Sequence, residues 1–419
     1  MNNKFIKILI LISLTFTSVN VFSQDDEFPG GSPYTIFGIG DLKYNTSLRT
    51  NAMGVQGIGL LGNYVNNMNP ASNIFLDYTK FSVTADYGFL KSTNDISELK
   101  VSEGNVTGMN IGIPFSRTNG WVMNLGINPI SLIGYKISQS GVQDGQSFNK
   151  IYSGKGSLTS VSLGMSYIVF KSIGLAAEYN YAFGNIKDES RVEFNNPLIT
   201  NSRIRNENDL RGSFFKAGAV IFAENLTTNK NLKNLVIGFS FHSKANLTST
   251  VDAIYSSSIG DDTVKFERGT FEIPYQLGFG ISNKFSDKYV VAADLVIQNW
   301  ANFREFGISD PTYGTSFRAG LGFEIQPSQE TKKTLWENLT YRFGGYYDKA
   351  YYEVLGNSIT RYGVSAGVEI PISEYNSIDF NVNYSTRGKT DFGLVKDQSF
   401  NLGVGLNFGE LWFIRRRVE

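Results

Sequence analysis

Short stretches in which apolar and polar side chains alternate strictly recur along this chain, and that pattern constrains it to β-strands. Phe81, Val83, Ala85, Tyr87 and Phe89 fall on one face of the first stretch, against Ser82, Thr84, Asp86 and Gly88. Ile378, Phe380, Val382 and Tyr384 alternate with Asp379, Asn381 and Asn383. Phe400 to Phe408 repeats the pattern against Asn401, Gly403, Gly405 and Asn407. Successive side chains of a strand point to opposite faces, so each stretch has one apolar and one polar or small face. About fourteen such segments can be counted. They cover residues 81–90, 105–115, 121–135, 156–170, 173–186, 211–223, 234–248, 269–284, 289–300, 315–326, 339–348, 360–371, 377–386 and 398–408.

A sandwich and a membrane barrel both alternate, and the charges separate them. The polar faces carry Asp86, Glu178, Lys216, Asp294, Arg318, Glu324, Arg342, Arg361, Glu369 and Asp379. Buried in a sandwich these would be costly; in a polar barrel interior they can pair or meet water. The apolar faces carry aromatics near their ends, among them Phe81 and Phe89, Tyr179 and Phe183, Tyr289 and Trp300, Tyr341 and Tyr347. That placement suits girdles at the two membrane interfaces. Short connections (116–120, 171–172, 285–288, 372–376) alternate with long polar ones (91–104, 136–155, 187–210, 250–268), as expected of short periplasmic turns and longer outer loops. The expected fold is therefore all-β, a transmembrane antiparallel barrel with its residues 81–408 in the wall.

Both ends of the chain add to this. Lys4 and Lys7, then the apolar run Ile8 to Phe16, then Val21 and Ser23 at the −3 and −1 positions, predict a signal peptide over residues 1–23 and a mature start at Gln24. Residues 24–80 do not alternate. They are too apolar for a free linker, and they precede the first strand, so they are expected inside the barrel as an N-terminal hatch, or plug. Residues 409–419 continue past the last strand through Trp412 and Phe413 to Arg415-Arg416-Arg417. This periplasmic tail is expected at the rim, with its arginines toward lipid headgroups or an envelope protein partner.

One motif lies in the predicted hatch. It reads Asn51-Ala52-Met53-Gly54-Val55-Gln56-Gly57-Ile58-Gly59, followed by Asn69-Pro70-Ala71-Ser72. It resembles the hatch of the FadL/TodX family of outer-membrane transporters, in which an Ala-Met-Gly-Gly-Ala-Gly-like run precedes Asn-Pro-Ala. Val55 and Gln56 stand where that family often has Gly and Ala. The resemblance implies a fourteen-stranded barrel plugged by its hatch, and passage of long-chain fatty acids or aromatic hydrocarbons. It also implies a kinked third strand that opens the wall sideways, here at Asn128 and Pro129.

The physics of these residues stands beside the resemblance. Gly54 and Gly57 let backbone pack closely in a confined lumen. Asn69 before Pro70 is held extended and Pro70 sets the turn that carries Ala71. Met53, Leu60, Leu61, Val65 and Met68 either line a cavity for a hydrophobic ligand or anchor a static plug. Pro129 removes a ladder hydrogen bond, which marks either a lateral gate or an ordinary bulge. Pro274 is a second break, with no role assigned.

Little else in the sequence points to chemistry. The chain has 419 residues, no net charge, no cysteine and one histidine. Balanced charge gives no basic patch for nucleic acid. Absent cysteine excludes disulfides and thiolate metal sites. His242 is expected to face the lumen with Ser240 and Lys244, and one strand cannot build an acid–His–Ser arrangement. No catalytic, metal or cofactor site is expected. The functions to be weighed are passive uptake of a hydrophobic small molecule, long-chain fatty acid-like, captured on the loop side and released through the wall into outer-membrane lipid, and a FadL-like barrel acting as a binding or scaffold component of an outer-membrane secretion or assembly machinery. Either places the protein in the cell outer membrane.

Overall fold

The computed structural model of the chain describes residues 30–412 apart from 45–46, 144, 197, 230–231, 258–259, 287, 328–333 and 335. The predicted signal peptide and tail residues 413–419 lie outside the described residues. Fourteen antiparallel strands close into a barrel. In chain order they are β1 Thr79–Thr93, β2 Glu98–Ser116, β3 Trp121–Gln143, β4 Gln146–Val169, β5 Ile173–Phe194, β6 Ser202–Phe222, β7 (Val236–His242 and Ala245–Ser257), β8 (Gly260–Ile273 and Gln276–Phe285), β9 Tyr289–Asn299, β10 Thr315–Ile325, β11 Thr340–Val354, β12 Asn357–Pro371, β13 Ser377–Arg387 and β14 Lys396–Glu410. Closure pairs β14 with β1, from Lys396 opposite Thr93 to Glu410 opposite Thr79. Each predicted segment coincides with one of these strands in part or in full.

The outer rim differs from expectation. Most of the predicted long loops are strand. β3 and β4 stay paired up to Gln143 opposite Gln146, β5 and β6 up to Val192 opposite Ser202, and β7 and β8 up to Ser257 opposite Gly260. Above an apolar belt both faces of a strand meet water, so the apolar alternation stops there. The ladder does not stop, because it is made of backbone hydrogen bonds.

The outward face carries the belt. Tyr87, Phe89, Tyr179, Phe183, Phe239 and Phe279 are all exposed, and cross-strand pairs such as Phe239–Phe279 and Tyr289–Phe323 pack with ring centroids 5.6 and 5.9 Å apart. Trp300 is a correction. It is fully buried, because β9 ends at Asn299 and the chain turns inward through the short helix Trp300–Asn302. Lys244 is another. The break after His242 changes which residues face inward, so Ala245 and Leu247 are buried while Lys244 is half-exposed and pairs with Glu272 at 2.5 Å.

The first strand begins at Thr79, and the described residues before it bond to inward-facing residues of the wall such as Asp294, Glu324 and Arg361. The regular pieces of this segment are short: Pro33–Ile36, Asp41–Leu42, Leu48–Ala52 and Pro70–Phe75. Pieces this short are marginal alone, so it is packing against the wall that orders them.

Candidate functional site

The motif builds the floor of the lumen. Gly54 and Gly57 have φ of +66° and +79°, a left-handed conformation that favours glycine. The turn they make aims the amides of Gln56 and Gly57 at one carboxylate oxygen of Asp294 on β9, at 2.6 and 2.7 Å. Asn69 caps the helix Pro70–Phe75 by accepting from the Ala71 amide, and its side-chain amide donates to the Ile58 carbonyl at 2.6 Å. The two halves of the motif are thereby tied together. Arg49 makes two 2.8 Å bonds to Glu324 on β10 and a third to the Leu61 carbonyl. Arg342 on β11 also binds Glu324, at 2.8 Å, and reaches Asp379 and Glu369. Paired and hydrogen-bonded in this way, the charges of the polar faces tolerate burial. Burial pushes the Tyr64 phenol up, although the Arg49 guanidinium over its ring acts the other way.

Above the floor the wall is incomplete. β2 pairs with β3 only from Met109 opposite Ile127 to Ser116 opposite Trp121. The upper part of β2 pairs with β1 and that of β3 with β4, so the two part company at Asn128 and Pro129. Residues 30–44 fill the opening. Asp41 and Leu42 pair with Leu132 and Ser131 on the free edge of β3, and the Lys43 amide donates to the Ile130 carbonyl at 2.8 Å. Higher up, the Thr35 hydroxyl donates to the Gly134 carbonyl and accepts from the Gly134 amide. Gly30 lies between the lips: a β-carbon there would be 3.6 Å from Cβ of Lys136 on β3 and 3.8 Å from a methyl of Leu99 on β2.

Side chains on the opposite wall hold this segment. Asp41 takes two bonds from Arg361 on β12, at 2.6 and 2.8 Å, and one from Arg387 on β13 at 3.0 Å. Arg387 also binds Asp397 on β14 and Ser32. Tyr351 on β11 donates to the carbonyls of Phe37 and Gly40 at 2.6 and 2.8 Å. Burial works to raise the Asp41 carboxyl, but Arg361, Arg387 and Lys43 outweigh it and hold the group well below the usual carboxylate range.

A mostly apolar cavity of about 100 Å³ lies behind the segment. Ile39, Leu42, Met68, Leu158, Leu247 and Trp300 contribute apolar surface, and Pro129 and Pro274 both reach it. The two strand breaks thus converge on one space. Polar cavities of about 190 and 110 Å³ lie on the other side of the segment, both lined by Asp41, Lys43 and Arg361. Pro129 lines the apolar cavity and the smaller polar one.

Of the five residues expected to line a ligand cavity, Met68 borders the apolar cavity. Met53 and Leu60 pack with Val55, Tyr64, Val290 and Ala292. Val65 packs with Leu76 and Val122, and Leu61 lies against the cluster around Ile74. Their neighbours are partly wall residues and partly other residues of the N-terminal segment. His242 bonds the Met68 carbonyl at 3.1 Å and faces Gln276 at 3.3 Å, on the cavity wall. Sequence reasoning missed Thr35, Ile39, Asp41, Arg387 and Asp397. Inward parity marked Arg361 as luminal, but nothing local marked its partner.

A family model described as BamG matches residues 5–419. No curated protein matches the sequence. Among solved structures, the Pseudomonas putida toluene transporter TodX aligns with a TM-score of 0.59 at 16% identity, covering 88% of this chain and 99% of that one. The CymD monoaromatic hydrocarbon channel aligns at 0.56 and 13%, covering 90% and 99%. A Pseudomonas aeruginosa FadL homologue aligns at 0.54 and 12%, covering 81% and 92%. These likenesses establish a shared FadL/TodX-type barrel fold.

Proposed function

The chain belongs to the BamG family, and on that premise we propose that it is an outer-membrane barrel for passive uptake of hydrophobic small molecules. One observation carries the reading: the wall lacks its ladder between β2 and β3 at the height where Pro129 lines an apolar cavity. A ligand that reached this cavity would have a sideways route toward lipid once the segment that fills the opening moves, with no chemistry required. The structural neighbours named as toluene and hydrocarbon carriers support the same direction. The cavity, about 100 Å³, compares with the ~150 Å³ apolar cavity that binds benzene in an engineered protein. A single-ring compound therefore needs little adjustment, whereas a fatty-acid-like chain needs residues 39–44 to move. Trp300 lines the cavity, so titration of the purified protein with toluene and with oleate should shift its fluorescence, and cells carrying the protein should take up the bound compound faster. No spectral change and no gain in uptake with either compound would remove this reading.

The strand ends at Thr79 and Glu410 share a rim with the turns 117–120 and 372–376. We place that rim in the periplasm. Cysteines at Ser140 or Asn201 should then react with an impermeant reagent on intact cells, and cysteines at Asn119 or Ser373 should not.

A second reading, a binding or scaffold component of an envelope machinery, draws on how completely the floor is filled, with Met53, Ile58 and Ala71 having essentially no exposure. Affinity capture from detergent-solubilised outer membrane tests it. A stoichiometric protein partner, with no ligand response, would favour this reading over uptake.

A further inference from the structure

We propose that residues 32–43 form a displaceable gate strand held in place by charge, with Asp41 as its latch. The proposal deepens the uptake reading, but its test follows movement of the strand whether or not any compound is carried.

Three observations converge on it. First, the segment makes few ladder bonds: its paired strand is two residues long, Asp41–Leu42. A strand this short supplies little pairing energy of its own. Second, it has space to either side. The apolar cavity and the two polar cavities, about 100, 190 and 110 Å³, are separated by residues of this segment. Third, its strongest contacts are ionic and cross the lumen. Asp41 is the one carboxylate within salt-bridge distance of Arg361 among the described residues, while Arg387 keeps Asp397 as a second partner. Loss of the Asp41 charge would leave Arg361 with no carboxylate within salt-bridge distance among the described residues. Breaking one half of such a pair costs far more than a surface contact, because the other charge stays behind without its partner. The uncharged anchors that remain include Thr35 on Gly134, Tyr351 on Phe37 and Gly40, Tyr34 on Val395, the Lys43 amide on Ile130, and the apolar packing of Tyr34, Phe37, Ile39 and Leu42.

Withdrawal of the segment would bare the edge of β3 and join the apolar cavity to the polar ones beside β2. The latch therefore decides whether the opening in the wall is filled.

The chain has no cysteine, so a single S131C reports on this edge. Ser131 is 1% exposed and its hydroxyl has no hydrogen-bond partner, which makes the substitution mild. Purified S131C protein in detergent is treated with N-ethylmaleimide, alone and combined with D41N or D41E, after heat-modifiable migration has shown that each variant is a folded barrel. The expected result is slow labelling of S131C, acceleration on the order of tenfold or more with D41N, and restoration of slow labelling with D41E. Equal, slow rates in all three would overturn the proposal, because the charge would not be holding the strand. Fast labelling with both D41N and D41E would overturn it as well, because shape would then matter and charge would not. Should D41N fail to assemble, Arg361→Gln removes the same pair from the wall side and is read against the same two outcomes. A double variant, L42C with S131C, gives an independent check. These residues form the non-hydrogen-bonded pair between Asp41–Leu132 and Lys43–Ile130, the closer of the two pair types in an antiparallel ladder. A disulfide should form there in the parent and fail to form in D41N, and equal yields would contradict the latch.

Discussion

The lower and upper parts of the N-terminal segment touch the same wall with different proportions of backbone and side-chain contact. Residues 48–76 press backbone against backbone. A β-carbon on Gly344 would lie 1.8 Å from the Met53 carbonyl oxygen, one on Gly238 2.0 Å from that of Ile58, and one on Gly320 2.3 Å from that of Gly54. The strands offer glycine where the floor arrives, and no shift of side chains could substitute for it. Residues 30–44 approach wall backbone as closely at Gly31 and Gly40, where a β-carbon would lie 2.1 Å from the Gly134 carbonyl oxygen and 2.4 Å from that of Leu132, but elsewhere they fill a gap and are gripped by long side chains, Arg361, Arg387 and Tyr351. Close-packed backbone has essentially one arrangement, whereas ion pairs across a cavity can be exchanged for water or for another partner. The difference argues for a fixed floor and a replaceable seal.

The largest expected effect lies in the floor. Arg49→Ala strips Glu324 of its bidentate partner, and both side chains are less than a tenth exposed. Unfolding in urea, followed by loss of heat-modifiable migration, should show a loss of about 3–5 kcal/mol. A near-parental midpoint would mean that Arg342 alone satisfies Glu324 and that the floor is not pinned there. A somewhat smaller loss, about 1–3 kcal/mol, is expected for Gly344→Val, from overpacking against Met53. Gly314→Val is the control, since nothing lies within 4 Å of a β-carbon at that position. If the two glycine variants unfold together, backbone contact is not what seats the floor.

Pro129→Ala should move stability least of the substitutions, since β2 offers no ladder partner opposite it. Uptake of a hydrophobic compound should nonetheless fall, because an alanine lets the strand straighten and narrows the opening. Full uptake with normal assembly would reduce Pro129 to a bulge. The smallest effect concerns pH. The Asp41 carboxyl titrates below its ordinary range when folded. A depressed group contributes stability above its unfolded pKa and loses it only as pH falls through the folded value. Hydrogen exchange of residues 32–43 should therefore be alike at pH 7 and pH 5 after correction for intrinsic rates. Faster exchange at pH 5 would point to a different titrating group as the latch.

Most of the wall is legible in the order of residues alone. Strand number, the inward charges and the polar interior all follow from alternation, which depends only on residues two apart. The strand ends at the outer rim are not legible in this way, because ladders continue where the apolar signal fades. Within the lumen, Gly54, Gly57, Asn69 and Pro70 stand out in the sequence as special backbone positions and have that role. The five apolar residues around them are not separable from one another by pattern. Met68 meets the cavity while Met53 is packed into the floor, and both are methionines in the same irregular stretch.

By itself, then, the order of residues determined a barrel, because a strand's two faces are set by its own sequence. Tertiary structure decided which distant residues meet. Asp41 lies 320 positions from Arg361 and 346 from Arg387, and Trp300 turns inward to stack on Tyr351 at 4.1 Å. These contacts arise only when fourteen strands close in one register around one path of the N-terminal segment. No local period encodes that closure, because each pairing is set by the summed geometry of the ring.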